Sequence, residues 1–229
     1  MPANGFNDIR ACVFDAYGTL FDVNAAAAHY QEKLGECWQP LANIWRQKQL
    51  QYTWLRGLMG RHTDFWQVTG DALDYAMESL KIDDAKLRER LMELYLRLDV
   101  YPEVGSVLAR LKRAGLKTAI LSNGSPKMLE AAISNANISE HIDAVFSVED
   151  VGIFKPHSSA YQMGVDGLGF AANKMSFQSS NAWDAAAASA FGYRVVWINR
   201  FGQVRERIPE PPHTELTTLD GLPAVVGAM

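Results

Sequence analysis

An apolar run that does not alternate, Ala11-Cys12-Val13-Phe14, ends on Asp15 and is followed by Gly18. A strand with one wet face alternates, so this run reads as a strand covered on both faces, as in a parallel sheet. It delivers Asp15 to the carboxyl end of the strand, which is where open α/β sheets bind ligands. Gly18 then permits a tight turn in backbone space that side chains disfavour. Alone, these residues fit an Asp that caps a turn about as well as one that meets a substrate. The rest of the chain decides.

After Phe21 the character changes, and from Asn24 to Leu98 the pattern is helical almost throughout. Leu41, Trp45, Tyr52, Leu55 and Met59 are expected on one helix face, and Leu87, Leu91, Leu94, Tyr95 and Leu98 on another. Asp84 suits the N-cap of the second of these. Roughly three to five helices form a small bundle, which ends at Tyr101-Pro102 because Pro disfavours helix in the residue before it. From Pro102 onward helices and strands alternate. Val104, Val107, Leu108 and Leu111 make an amphipathic helix closed by Gly115. Strands are expected at Lys117–Ser122, Asp143–Val148, Met175–Ser179 and Arg194–Ile198. Helices are expected after Ser125-Pro126, around Tyr161, and from Trp183 to Phe191 before Gly192. The tail from Asn199 reads as mostly loop until Glu215. Alternating strands and helices argue an α/β protein with a parallel sheet and helices on both faces. The first strand belongs to that body, and the helical stretch is inserted after it.

A length of 229 residues suits one domain plus a smaller insertion. The net charge of -4 leaves no basic footprint, so nucleic acid is not an expected partner. Cys12 and Cys37 read as reduced thiols, and neither they nor the five histidines show metal-ligand spacing. No signal peptide and no membrane-spanning stretch are expected, so the default location is the cytoplasm.

Polar residues follow four of the expected strands: Asp15 and Thr19; Ser122, Asn123 and Gly124; Lys155 before Pro156; and Ser179, Ser180, Asn181, Trp183 and Asp184. All can face one crevice. Taken singly, a Ser-Asn-Gly is more often a turn and a Lys-Pro a solvated loop. An Asp15 that stays ionised in a closed pocket needs a cation beside it, and Lys155 is the candidate. Ser122 can donate to an anionic substrate, and Thr19 can fix the Asp15 rotamer.

Phe14-Asp15-Ala16-Tyr17-Gly18-Thr19-Leu20, with the clusters in this order, resembles the haloacid dehalogenase superfamily. That resemblance implies a Rossmann-like core, 1–22 and 100–229, with an inserted helical cap domain, 23–99, and Asp15 as a covalent nucleophile. Most members are phosphatases with a second Asp two residues later and further acids in the fourth motif, which together hold Mg2+. Here Tyr17 takes the second Asp's place, and Asp184 is the sole acid of Ser179–Asp184. Mg2+ prefers carboxylate oxygens, so no metal or other cofactor is expected. Without it a phosphoryl transition state loses its charge clamp.

The first motif, the stretch Ser179-Ser180-Asn181-Ala182-Trp183-Asp184 and the insertion segment Ile44-Trp45-Arg46-Gln47-Lys48-Gln49-Leu50 together resemble the (S)-2-haloacid dehalogenases. This implies attack by Asp15 on C2 of a 2-haloacid, loss of halide, inversion, and hydrolysis of the resulting ester to an (R)-2-hydroxy acid. It implies a catalytic set of Asp15, Thr19, Arg46, Ser122, Lys155, Tyr161, Ser179, Asn181 and Asp184. Arg46, Asn123 and Trp183 would cradle the halide, and Tyr17, Gln47, Leu50, Phe65 and Trp183 would line the pocket for the alkyl group. On a helix, Arg46 and Leu50 share a face through i,i+4 spacing, with Gln47 beside Arg46. Haloacid and halide are then the small-molecule partners, and the family implies a homodimer.

Overall fold

The computed structural model describes residues 5–23 and 29–228. Residues 24–28, where the helical region is expected to begin, lie outside the described residues. Six strands form one parallel sheet: β1 Ala11–Phe14, β2 Lys117–Ser122, β3 Ala144–Ser147, β4 Met175–Ser179, β5 Arg194–Ile198 and β6 Thr214–Leu216. Their order is β3-β2-β1-β4-β5-β6, so β1 lies inside the sheet, with Phe14 opposite Ile120 of β2 and Gln178 of β4. The chain runs to one side of β1 for β2 and β3 and to the other for β4 to β6. That reversal opens a crevice at the carboxyl ends of β1, β2 and β4.

The missing alternation in β1 has a direct cause. Cys12 and Phe14 face one apolar cluster and Ala11 and Val13 the other, and all four are fully buried. Both faces of the strand are therefore core, and each large side chain so buried contributes roughly 1.5–3 kcal/mol.

After a one-turn helix at Gln31–Leu34, the inserted helices are α1 Trp38–Met59, α2 Phe65–Ser79 and α3 Ala85–Tyr95. The body adds α4 Val104–Arg113, α5 Pro126–Asn135, α6 Ser158–Leu168, α7 Ala182–Phe191 and the one-turn α8 Leu222–Val225. Asp84 caps α3 by accepting from Leu87 N at 2.9 Å, as its position predicts. Asp64 does the same for α2. Ser125 occupies the N-cap of α5, but its side chain makes no cap hydrogen bond there, and Pro126 supplies the start signal.

The α1 face differs from expectation. Leu41 and Trp45 are buried, but Leu55 and Met59 are exposed, and the buried positions further along are Gln49 and Thr53. Gln49 is turned inward because Thr69 and Tyr95 on neighbouring helices offer it partners, and Thr53 satisfies its hydroxyl on Leu50 O of its own helix. Two smaller differences concern strands. β3 is shorter than its apolar run, because Val148 enters a 3-10 turn. β6 arises within the tail, where His213 N bonds Val195 O at 3.0 Å.

The insertion leaves and rejoins the body at one place. Phe21 pairs with Val100, Asp22 N donates to Asp99 O at 2.8 Å, and Tyr101 N to Leu20 O at 3.0 Å. Across the crevice it meets the body again where Trp54 packs edge-on against Trp183 and His62 bonds Glu149. Among the described residues, no helix is long and apolar enough to cross a membrane.

Candidate active site

Asp15 stands one residue past β1, its N–H bonded to Gln178 O at 2.9 Å. The turn beyond it is closed by Gly18 N donating to Phe21 O at 2.7 Å. Gly18 has φ +91, and a Cβ there would come 3.1 Å from Ser180 Oγ, so conformation and crowding both demand glycine. Three donors converge on the buried Asp15 carboxylate. Lys155 Nζ lies 3.1 Å from Oδ1, while Thr19 Oγ1 at 3.1 Å and Asn181 Nδ2 at 2.9 Å serve Oδ2. Ser180 N donates to Thr19 Oγ1 at 2.8 Å, which leaves the Thr19 proton for Asp15.

Lys155 is the centre of the site's electrostatics. Its ammonium is buried and bridges Asp15 and Asp184, the latter at 3.0 Å from Asp184 Oδ2. Burial by itself lowers the Lys155 pKa, but Asp15 and Asp184 outweigh it and hold the ammonium above its ordinary 10.5. Asn123 Oδ1 accepts from Lys155 N at 2.9 Å and so ties the Lys155 loop to the end of β2. Asp184 lies in the first turn of α7 and is wholly buried. Burial raises its carboxyl pKa, and Asp15 adds to that, while Lys155 opposes both. Tyr161 OH, from α6, donates to Asp184 Oδ1 at 2.6 Å. Burial, then the charge of Asp184, pushes the Tyr161 phenol well up, so it stays a donor.

From the insertion, α1 sends Arg46 across to the body. Its Nη2 lies 3.1 Å from Asn181 Oδ1 and 3.3 Å from Tyr17 O, and its Nη1 donates to Gln49 Oε1 at 2.7 Å. Because Asn181 also donates to Asp15, the guanidinium stands one side chain away from the carboxylate. An electrophile held against Asp15 would thus have a cation in reach of an anionic leaving group.

The other expected residues take up supporting and lining positions. Ser122 and Ser179 are fully buried, and each accepts from a turn amide, Gly124 N and Asn181 N, both at 3.1 Å. They shape the loops that carry Asn123 and Asn181. Tyr17 and Phe65 pack together with ring centres 5.8 Å apart, over Tyr95 and Phe154. Among the described residues, the Tyr17 hydroxyl and Trp183 Nε1 are buried without a hydrogen-bond partner, two donors free for a ligand.

Gln47 departs from expectation. It is exposed, and Gln49 rather than Gln47 stands beside Arg46. Consecutive helix residues lie about 100° apart, so residue i+1 faces away while i+3 faces the same side. A cavity of about 330 Å³ adjoins Lys155 and is bounded by Trp54, Leu58, Phe154 and Trp183. Of the expected alkyl-pocket residues, only Trp183 lines this cavity; Leu50 is half-buried and Tyr17 and Phe65 lie deeper.

A divalent cation does not fit this donor set. The space between Asp15 and Asp184 holds the Lys155 ammonium, and the outer side of Asp15 faces the Asn181 amide hydrogens. The Tyr17 carbonyl faces the donors of Arg46 and Asn181. Among the described residues, no group of three or more His, Cys, Asp or Glu could hold a metal ion.

Sequence reasoning missed Gln49 and Arg200. Arg200 Nη2 donates to Thr19 O at 2.8 Å, Nη1 pairs with Glu103 at 2.7 Å, and its guanidinium lies 3.7 Å from the Tyr101 ring centre. It braces the Asp15 turn against the point where the insertion rejoins the body. The i,i+3 spacing from Arg46 signalled Gln49. For Arg200, its place two residues past the end of β5 was the sign.

Three comparisons bear on this geometry. The family described as haloacid dehalogenase-like hydrolase matches residues 9–192. (S)-2-haloacid dehalogenase 1 of Pseudomonas sp. (strain CBS-3) is 44% identical over 219 residues, covering 95% of this chain and 96% of the relative. Haloacetate dehalogenase H-2 of Moraxella sp. (strain B) is 37% identical, over 93% and 96%. Among solved structures, the L-2-haloacid dehalogenase of Xanthobacter autotrophicus with chloropropionic acid covalently bound superposes with a TM-score of 0.90 at 37% identity. It spans 96% of this chain and 99% of that one.

Proposed function

The chain belongs to the haloacid dehalogenase-like hydrolases, and from that premise we propose that it hydrolyses (S)-2-haloalkanoic acids to (R)-2-hydroxyalkanoic acids and halide. The observation that carries the reading is the buried Asp15–Lys155–Asp184 array with Arg46 facing it across the crevice. A carboxylate fixed by three donors is a nucleophile held in one orientation, which lowers the entropic part of the barrier.

An Asp15 oxygen attacks C2 from the side opposite the halogen. The C–O bond forms as the C–halogen bond breaks, halide leaves with the electron pair, and C2 inverts. The developing negative charge on the halogen is met by Arg46, with Asn123 and the free Trp183 N–H completing the cradle. Donors placed where charge develops favour the transition state over the ground state. The substrate carboxylate is bound by the Ser122 hydroxyl and the turn that follows β2. The 2-substituent lies toward the apolar cavity beside Trp183.

Water then attacks the carbonyl carbon of the Asp15 ester. Asp184, held by Tyr161 and Lys155, takes the proton; its burial-raised pKa makes it a better base than an ordinary carboxylate. The acyl C–O bond breaks as Asp184 returns its proton to the departing alkoxide, which leaves as the hydroxy acid, and Asp15 is regenerated as carboxylate with one oxygen from water, its remaining proton passing to solvent. No metal enters any step, in keeping with the donors that surround Asp15.

The chain is divided into a core, 1–22 and 100–229, and a cap, 23–99, joined where Phe21 meets Val100. It works as a homodimer through the cap, which leaves Leu55, Leu58 and Met59 exposed on α1; sedimentation showing a monomer would refute this. It resides in the cytoplasm, where the unpaired Cys12 and Cys37 are stable.

Halide release from separate (S)- and (R)-2-chloropropionate, with and without EDTA, tests the activity. Release from the (S) form alone, indifferent to EDTA, is expected. Magnesium-dependent release of phosphate from a generic ester, with no halide release, would overturn it.

A further inference from the structure

We propose that Gln49 is a positioning residue that aims the Arg46 guanidinium at the leaving halide, an assignment that rests on the dehalogenase reading above. Gln49 is 1% exposed, and its amide is fully engaged. Oε1 accepts from Arg46 Nη1 at 2.7 Å, and Nε2 donates to Thr69 Oγ1 at 2.8 Å. Thr69 spends its own proton on Phe65 O at 2.7 Å, so toward Gln49 it can only accept. Arg46 can only donate. The two neighbours therefore permit one orientation of the amide, with oxygen toward Arg46 and nitrogen toward Thr69. Tyr95 OH, 2.9 Å from Nε2, closes the network, and Tyr95 in turn stacks on Tyr17 at 5.5 Å. Trp45 Nε1 donates to Thr69 O at 2.9 Å and locks α1 to α2 at the same level.

The choice of amide over carboxylate has a consequence for the reaction. A Glu at this position would form an ion pair with Arg46 and cancel much of the charge meant for the halide. It would also set a carboxylate oxygen against the Thr69 lone pairs. Gln49 fixes the guanidinium by a hydrogen bond and leaves its full charge directed across the crevice, toward Asn181 and the Asp15 side. Three helices of the insertion thus act on the core chemistry through one arginine.

The test is a double-mutant cycle on the full-length protein, with turnover of (S)-2-chloropropionate and (S)-2-bromopropionate measured for the parent, Gln49→Met, Arg46→Lys and the double variant. Met keeps the volume of Gln and removes the acceptor. Gln49→Met is expected to lower kcat about 100-fold, the scale of a roughly 1 Å misplacement, with KM little changed. The loss should be larger for chloride, the poorer leaving group, which depends more on its donor. In the Arg46→Lys background the same substitution should cost little more, because residues that act as a unit are not additive. Equal fractional losses in both backgrounds would overturn the assignment and leave Gln49 a packing residue. Should Gln49→Met fail to fold, Gln49→Leu, which also removes the acceptor at similar volume, takes its place in the same cycle: a loss that nearly vanishes in the Arg46→Lys background supports the proposal, and equal losses in both backgrounds overturn it. Absence of halide release by the parent would overturn the dehalogenase reading itself, an outcome distinct from an additive cycle in an active parent.

Discussion

Replacing Lys155 by Met removes the ammonium that bridges two buried carboxylates and keeps the aliphatic bulk. Asp15 and Asp184 lie 3.1 and 3.0 Å from the ammonium, and Lys155 itself is 1% exposed. Removing one partner of a buried ion pair costs about 3–5 kcal/mol, because the charge left behind has lost its compensation. With a urea m-value of about 3 kcal/mol/M, the midpoint should fall by about 1–1.7 M at pH 8. The pH dependence follows from the directions of the two pKa shifts. Lys155 is held above 10.5 in the fold, so its stabilisation is complete below that value and is lost only as pH rises through the higher folded one. The difference between parent and variant should thus be flat from about pH 7 to pH 10. Asp184 is raised above 3.8, mainly by burial and against the pull of Lys155; without Lys155 it rises further. A group raised in the fold favours the folded state below its unfolded pKa, and that advantage is lost as pH rises through the folded pKa. The variant should accordingly recover part of its loss toward about pH 4, where its buried Asp184 carboxyl is protonated. Urea titrations of both proteins at about pH 4, 6, 8 and 10 read all of this. A difference below about 1 kcal/mol at every pH, the range of an exposed pair, would refute the buried array.

Other substitutions probe its surroundings. Arg46→Ala should lower kcat about 10²–10³-fold, as loss of an oriented donor does elsewhere, in a steady-state halide-release assay. Tyr161→Phe removes a 2.6 Å bond to a buried carboxylate; it should cost about 1.5–3 kcal/mol in urea denaturation and slow ester hydrolysis more than ester formation in rapid-quench kinetics. Gly124→Ala places a Cβ 2.7 Å from Tyr17 Cε2 and 3.2 Å from Leu129 Cδ2. It should destabilise by about 1–3 kcal/mol, with a raised KM as the turn after β2 shifts.

The body of the fold was plain in the sequence because β1, β2, β4 and β5 are buried almost throughout, on both faces. Short runs of four to six residues between turn residues, too short for helices and mostly unalternating, fit buried strands of a parallel sheet. β6 went unseen because it is three half-buried residues whose pairing comes entirely from β5. Within the site, Asp15, Lys155, Asn181 and Asp184 come together as their places after strands implied, whereas Tyr161 reaches them from the middle of α6 and was implied by the family resemblance alone. Residues that follow a strand of known direction have a known destination. Side chains on α1 do not, because burial there depends on which helix packs where. Leu55 and Met59 looked like core by spacing and are exposed, while Gln49 and Thr53 looked polar and are buried. The partners that make Gln49 acceptable inside, Thr69 and Tyr95, come from two other helices, and periodicity in one segment carries no information about them.

The most direct test of the central claim is a single turnover of (S)-2-chloropropionate by excess enzyme in 18O-water, followed by mass analysis of the product and of the Asp15 peptide. With Asp15 as the covalent nucleophile, the label enters the Asp15 carboxylate and the first 2-hydroxypropionate carries none. Label found in the hydroxy acid, with the Asp15 peptide unchanged, would mean that water attacks C2 directly and would contradict the account.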